Sequence, residues 1–143
     1  MDNCEFKLFN SIPAEAQEIR KTVFVKEQGF ADEFDETDNT AYHVVAFVNG
    51  DAAATCRFFR NTESEYTIGR IAVLKQYRGK NLGSRMLEAA EKIILENGGR
   101  SVSLHAQLRA TGFYEKLGYS SFGEADEEQG CPHIRMRKDL PGI

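Results

Sequence analysis

Long apolar runs, tryptophan, paired cysteines and a positive net charge are all missing from this chain of 143 residues. No apolar run approaches the roughly 20 residues that span a bilayer, so no membrane partner is expected. The opening Met1-Asp2-Asn3-Cys4-Glu5 has neither the basic nor the apolar region of a signal peptide, which predicts a cytoplasmic protein. Cys4, Cys56 and Cys131 are odd in number, far apart and form no Cys-x-x-Cys pair. That argues against a disulfide framework and a zinc site, and each is expected as a small buried hydrophobe; no metal is expected. The net charge of −4 disfavours a nucleic-acid partner. No repeat, low-complexity tract or linker interrupts the chain. Two nucleotide loops are also absent. Gly79-x3-Gly83-Ser84 lacks the lysine of a P-loop, and no Gly-x-Gly-x-x-Gly follows the first strand.

What remains is ordinary globular material, 41% apolar and 28% charged, with ten Phe and five Tyr for a core. One domain over residues 1–143 is the simplest organisation. The charge is uneven. Four basic and no acidic residues lie between Lys75 and Arg85, and six acidic and no basic residues between Glu27 and Asp38. One cationic and one anionic locus suit a site joining an anionic cofactor to a cationic substrate.

Alternation at Cys4, Phe6 and Leu8 predicts a first strand over residues 4–9. A helix begins at Pro13 and runs to about Gln28, with Ala14, Ile19, Val23 and Phe24 on its apolar side. Residues 31–40 are acidic without apolar periodicity and are expected as an exposed loop. Strands at 42–48 and 52–60 are joined by the hairpin turn Asn49-Gly50, and a turn at 61–65 leads to a strand at 66–74. Asn81 is placed to cap the next helix, whose Leu82, Met86, Ala90 and Ile93 form one face and which Asn97-Gly98-Gly99 ends. A parallel strand at 101–105, a short helix at 110–117, and closing strands at 119–122 and 133–137 around a polar loop complete the order. The result is β-α-β-β-β-α-β-α-β-β, an α/β domain with a mixed sheet.

The segment Ile68-Gly69-Arg70-Ile71-Ala72-Val73, followed by Leu74-Lys75-Gln76-Tyr77-Arg78-Gly79-Lys80-Asn81-Leu82-Gly83-Ser84, carries the chemistry. An apolar strand runs into a basic glycine-bearing turn that opens a helix, which aims backbone N–H groups and a positive helix end at one point. That is a receptor for a phosphate-bearing ligand. Gly79 and Gly83 permit close approach, and Arg78 and Lys80 add charge.

Here the chain resembles the GNAT superfamily of N-acetyltransferases, whose acetyl-CoA loop follows Arg/Gln-x-x-Gly-x-Gly/Ala; this chain reads Arg78-x-x-Asn81-x-Gly83. Asn in place of Gly tolerates left-handed backbone. Ala110-Thr111-Gly112-Phe113-Tyr114-Glu115-Lys116-Leu117-Gly118-Tyr119 is similar to the family's closing helix, and Val23–Gln28 is similar to small bacterial members. The resemblance implies a mostly antiparallel sheet with a splayed central strand pair and acetyl-CoA as co-substrate. It also implies cofactor contacts from Ile71, Ala72, Val73, Arg78, Gly79, Lys80, Asn81, Leu82, Gly83, Ser84 and Gln107. Tyr114 matches the general acid that protonates the thiolate. The implied reaction is direct attack of a primary amine, since no cysteine has an evident activating neighbour for an acyl-enzyme. The family's usual strand glutamate falls at Gly69-Arg70 and is missing, so the base is sought among Glu27, Glu33, Asp35, Asp38, His43 and His133. His133, opening the last strand, is named as the base, with a water chain as the alternative. Arg20-x3-Phe24, Glu33-x-Asp35-x2-Asp38 and Arg57 are similar to the acceptor side of acyl-homoserine-lactone synthases. Glu27, Glu33, Asp35, Asp38 and Arg57 are therefore expected to meet a cationic acceptor, or else to pair with one another. A non-catalytic CoA-sensing module and a lactone-synthase-like acyltransferase are the alternatives. Family members are commonly dimers, which makes a homodimer an expectation.

Overall fold

The computed structural model of the chain describes residues 3–30 and 34–141. One seven-stranded sheet organises it, in spatial order β1-β2-β3-β4-β5-β7-β6. The strands are β1 (Cys4–Phe9), β2 (Tyr42–Val48), β3 (Asp51–Arg60), β4 (Glu65–Val73), β5 (Ser101–Gln107), β6 (Ser120–Glu128) and β7 (Cys131–Asp139). All neighbours are antiparallel except β4 and β5, which run parallel because the helix α2 (Leu82–Glu96) connects them. Asn49 and Gly50 both have positive φ, which is what a two-residue turn between right-twisted strands requires.

Two apolar clusters sit on opposite faces. On one face Val44, Cys56, Phe58, Ile68, Val102 and Leu104 pack against Met86, Leu87, Ala90 and Ile94 of α2. On the other, Val45 and Ala72 pack against Ala16, Ile19, Val23 and Phe24. The period of two along each strand assigns alternate residues to each face. α2 ends in a Schellman closure. Gly98 takes φ 94°, its N–H donates to Leu95 O (3.1 Å), and the Gly99 N–H donates to Ile94 O (2.9 Å).

The structure departs from expectation in four places. The first helix is α-helical only over α1 (Ala14–Arg20) and continues as a π-helix over Lys21–Glu27, a rare winding that hydrophobic spacing does not announce. The acidic segment is not simply an exposed loop. Glu36–Asn39 forms a 3-10 turn with a reciprocal Asp35–Asp38 capping box, and Asp38 is buried. Residues 31–33, Glu33 among them, lie outside the described residues. The closing strands are longer than periodicity suggests, so the expected polar loop is mostly strand and only Gln129-Gly130 turns. β6 is exposed along its whole length, so it carries no alternation to read. Of the cysteines, Cys56 is buried whereas Cys4 and Cys131 are half-buried.

A sheet opening as candidate active site

β4 and β5 pair only over Glu65–Ser101, Tyr66–Val102 and Thr67–Ser103. Beyond Thr67 the strands part. The local cause is visible in β4: Arg57 pairs with Gly69 but Thr55 with Ala72, so Arg70 and Ile71 together oppose one residue of β3. Arg70 takes φ 49°, a left-handed conformation that makes the bulge and bends β4 away from β5. Leu74 N–H donates to Ala53 O (2.9 Å). By the alternation of an antiparallel ladder, Ala72 then faces β3, while the Val73 N–H points into the opening.

The opening is a cleft of about 400 Å³ lined from both faces. Ile68, Leu104 and Tyr114 come from the α2 face, and Arg57, Phe59, Thr67, His105 and Gln107 from the α1 face. Tyr114 is carried by the short helix α3 (Thr111–Lys116), and the rings of Phe113 and Tyr119 lie edge-on to its own with centroids at 5.0 and 6.0 Å. Tyr114 lines the cleft, and its hydroxyl has no hydrogen-bond partner among the described residues. Burial, assisted by neighbouring Cys56, pushes the phenol well above its ordinary range, so it stays protonated. Cys56 itself is pushed up to about 12 by burial and is no nucleophile.

The basic turn lies beyond the end of β4. Gly79 has φ 82° and Asn81 φ 62°. Asn81 therefore makes the left-handed turn that the sequence permits, but its side chain makes no cap hydrogen bond, contrary to expectation. The first helical bond is Arg85 N–H to Asn81 O (3.1 Å), which leaves the N–H groups of Leu82, Gly83 and Ser84 without intrahelical partners. Lys80 is exposed beside them. A Cβ on Gly83 would meet Phe113 at 3.4 Å and Val73 at 3.5 Å, so the first turn sits close against the end of β4. Three free N–H groups at a helix start, with glycine at the closest approach, suit a diphosphate.

Arg78 was expected to add charge at the cofactor loop, and Glu27 to meet the acceptor. In the structure they form a bidentate pair at 2.6 and 2.9 Å, and Arg78 Nε donates to Val73 O at 2.9 Å. The Arg78 hydrogen bond holds the Glu27 carboxyl below its usual range. This pair ties the end of the π-helix to the turn. Gln107, expected against the cofactor, lines the cleft and donates to Gln28 Oε1 across 2.8 Å.

The acidic residues are also already engaged. Asp38 accepts two bonds from Arg20 (2.7 and 3.0 Å) and one from Arg57 (2.9 Å). Burial alone would raise Asp38, but Arg20, the Asp35 N–H and Arg57 more than offset it and hold the carboxyl far below its usual range. Asp35 takes a bidentate pair from Arg57 (2.6 and 3.1 Å) and a longer one from Arg70 (3.3 Å). The pairing alternative is the one observed, and of these residues Arg57 and Arg70 line the cleft. His43 is buried, with Nε2 bound to Asp38 O at 3.1 Å and its pKa lowered by burial. It supports the 3-10 turn and does not line the cleft.

His133 does line the cleft. Its Nδ1 lies 2.8 Å from Cys131 O, so Nδ1 carries the hydrogen and Nε2 the lone pair of the neutral ring. Sequence reasoning missed its companions. His105, Asp126 and Glu128 gather around it from β5 and β6, with the His105 and His133 rings 4.8 Å apart. His105 was open to discovery, since it shares a strand face with Gln107 two residues on. Asp126 and Glu128 were not, because they stood in the expected loop.

A family model described as "Acetyltransferase (GNAT) domain" matches residues 11–140. A candidate acetyltransferase of Bacillus subtilis (strain 168) is 41% identical over 128 residues, 86% of each chain. The crystal structure of a candidate N-acetyltransferase from Lactobacillus plantarum superposes with a TM-score of 0.90 at 30% identity, covering 96% of this chain and 99% of that one. The acyl-homoserine-lactone synthase LasI also shares the fold, with a TM-score of 0.79 at 14% identity over 99% and 91% of the two chains.

Proposed function

Because this chain belongs to the GNAT acetyltransferase family, we propose that it moves an acetyl group from acetyl-CoA to a primary amine by direct attack. The observation that carries this is the β4–β5 opening, with Tyr114 and His133 lining it and the free N–H groups of α2 beyond its end. The diphosphate rests on the N–H groups of Leu82, Gly83 and Ser84, and the pantetheine arm lies along Ile71, Ala72 and Val73. The Val73 N–H, turned into the opening, is the donor placed for the thioester oxygen as it gains charge.

An ammonium N–H gives its proton to His133 Nε2, and the freed nitrogen pair attacks the thioester carbon. The C–N bond forms and the C–S bond breaks. The Tyr114 proton goes to the departing thiolate, and the surplus proton on the new amide nitrogen restores the phenol. A phenol held this far above its usual range is a poor acid toward a thiolate of pKa about 8.5, so its hydrogen bond to the developing charge matters as much as full transfer.

Calorimetric titration with CoA tests the cradle, and release of free thiol from acetyl-CoA with amines present tests turnover. CoA binding without thiol release above background favours a non-catalytic CoA-sensing module, the reading that the missing strand glutamate supports.

A further inference from the structure

Around His133 the hydrogen-bond geometry leaves three acceptors facing one another. His105 Nε2 lies 2.7 Å from Asp126 Oδ1, which places the hydrogen of the neutral ring on Nε2 and its lone pair on Nδ1. That Nδ1 is 3.5 Å from Glu128 Oε2, and His133 Nε2 is 3.6 Å from the same oxygen. Both separations are too long for direct hydrogen bonds. In these tautomers two ring lone pairs and a carboxylate oxygen thus converge at the cleft wall. A primary ammonium, with three N–H groups, complements such a triangle. A metal does not: among the described residues no group of three His, Cys, Asp or Glu is arranged to hold one.

The rest of the cleft limits what the ammonium can be attached to. Glu128 is the one carboxylate among the described lining residues, whereas Arg57, Arg70 and Arg109 all line it. Arg57 and Arg70 face it from β3 and β4 with their charge shared by Asp35, and Arg109 faces it from the turn before α3, close enough to Glu27 to feel its charge. A second positive charge on the acceptor would sit among arginines. Phe24, Phe30, Phe59, Ile68 and Leu104 supply the remaining wall, which is apolar.

We infer that the acceptor is a monocation, a single primary ammonium on an aryl or alkyl body, held by Glu128, His105 and His133. Asp126 fixes His105 and so turns its Nδ1 toward the ammonium. This rests on the acetyl-transfer reading, but its binding step can be tested without it.

The protein alone is titrated with phenethylammonium, and the imidazole nitrogens of His105 and His133 are followed by NMR. Saturable shifts of both rings are expected, with tetramethylammonium, a cation without N–H, giving none. Glu128→Gln, on an exposed strand, should weaken the response at least tenfold while the circular dichroism spectrum is retained. Equal responses to both cations, no saturable shift, an unchanged response in the variant, or a response to zinc ions instead would each overturn the inference. In turnover, kcat/KM for phenethylamine should exceed that for spermidine and for phenylalanine by at least tenfold; preference for either of these also overturns it. Shifted rings with no CoA binding would instead overturn the acetyl-transfer reading and leave the ammonium site standing.

Discussion

The hydroxyl of Tyr114 has no hydrogen-bond partner among the described residues, yet its ring is held edge-on between two others. Rigid placement of an uncommitted donor is what separates a reacting tyrosine from a packing one. Tyr114→Phe keeps the ring and removes the donor. It should lower kcat roughly 10²–10⁴-fold with CoA affinity nearly unchanged, measured by thiol release and calorimetry. An unchanged kcat would assign the residue to packing alone. Asp38 makes a prediction about stability. Its folded pKa is depressed, so its contribution is present above the unfolded value near 4 and is lost as pH falls through and below that value. Asp38→Asn leaves Arg20 and Arg57 partly unpaired in a buried setting and should cost about 3–5 kcal/mol by urea unfolding at neutral pH. The deficit relative to the parent protein should shrink as both are taken toward pH 2. A deficit that stays constant down to that pH would mean the carboxylate charge contributes little.

Among the elements, those with strong apolar patterning were legible in the sequence. Met86, Ala90 and Ile94 report α2, and the unbroken apolar run Val44–Val48, buried on both faces, reports β2. The turn at Asn49-Gly50 and the Gly98 closure follow from residues that accept positive φ. Other features were hidden for physical reasons. The π-helix uses the same apolar residues as an α-helix would, and only its i→i+5 bonding differs. β6 is exposed on both sides, so nothing along it alternates. Arg78 looks like a phosphate ligand in a linear string, and its capture by Glu27, 51 residues away, is a tertiary event. Gly83 in the first turn of α2 makes an element-scale prediction. Gly83→Val places methyl groups among Val73, Phe113 and the incoming diphosphate, and should raise the CoA Kd at least tenfold by calorimetry. Equal affinity would place the diphosphate elsewhere.

For the whole molecule, the parting of β4 and β5 divides one sheet into regions of different local stability. Amides of the β3–β4 ladder near Thr67 and Phe58 lie in continuous pairing with core on one face. Those at Val73 and Gln107 border the opening and open without unfolding the sheet. Hydrogen exchange should therefore be slow in the first set and fast in the second, and added CoA should slow the second selectively. Uniform protection across β4 in the free protein would contradict a parted strand pair.

The cleft is lined from both faces of the sheet, and the helix start that suits a diphosphate lies beyond one end of it. In the proposed reaction, cofactor and acceptor then approach from different sides and meet between the parted strands. Steady-state kinetics should then give intersecting double-reciprocal lines, the pattern of a ternary complex. A dead CoA analogue should compete with acetyl-CoA alone, because the amine's doorway stays clear when the other is blocked.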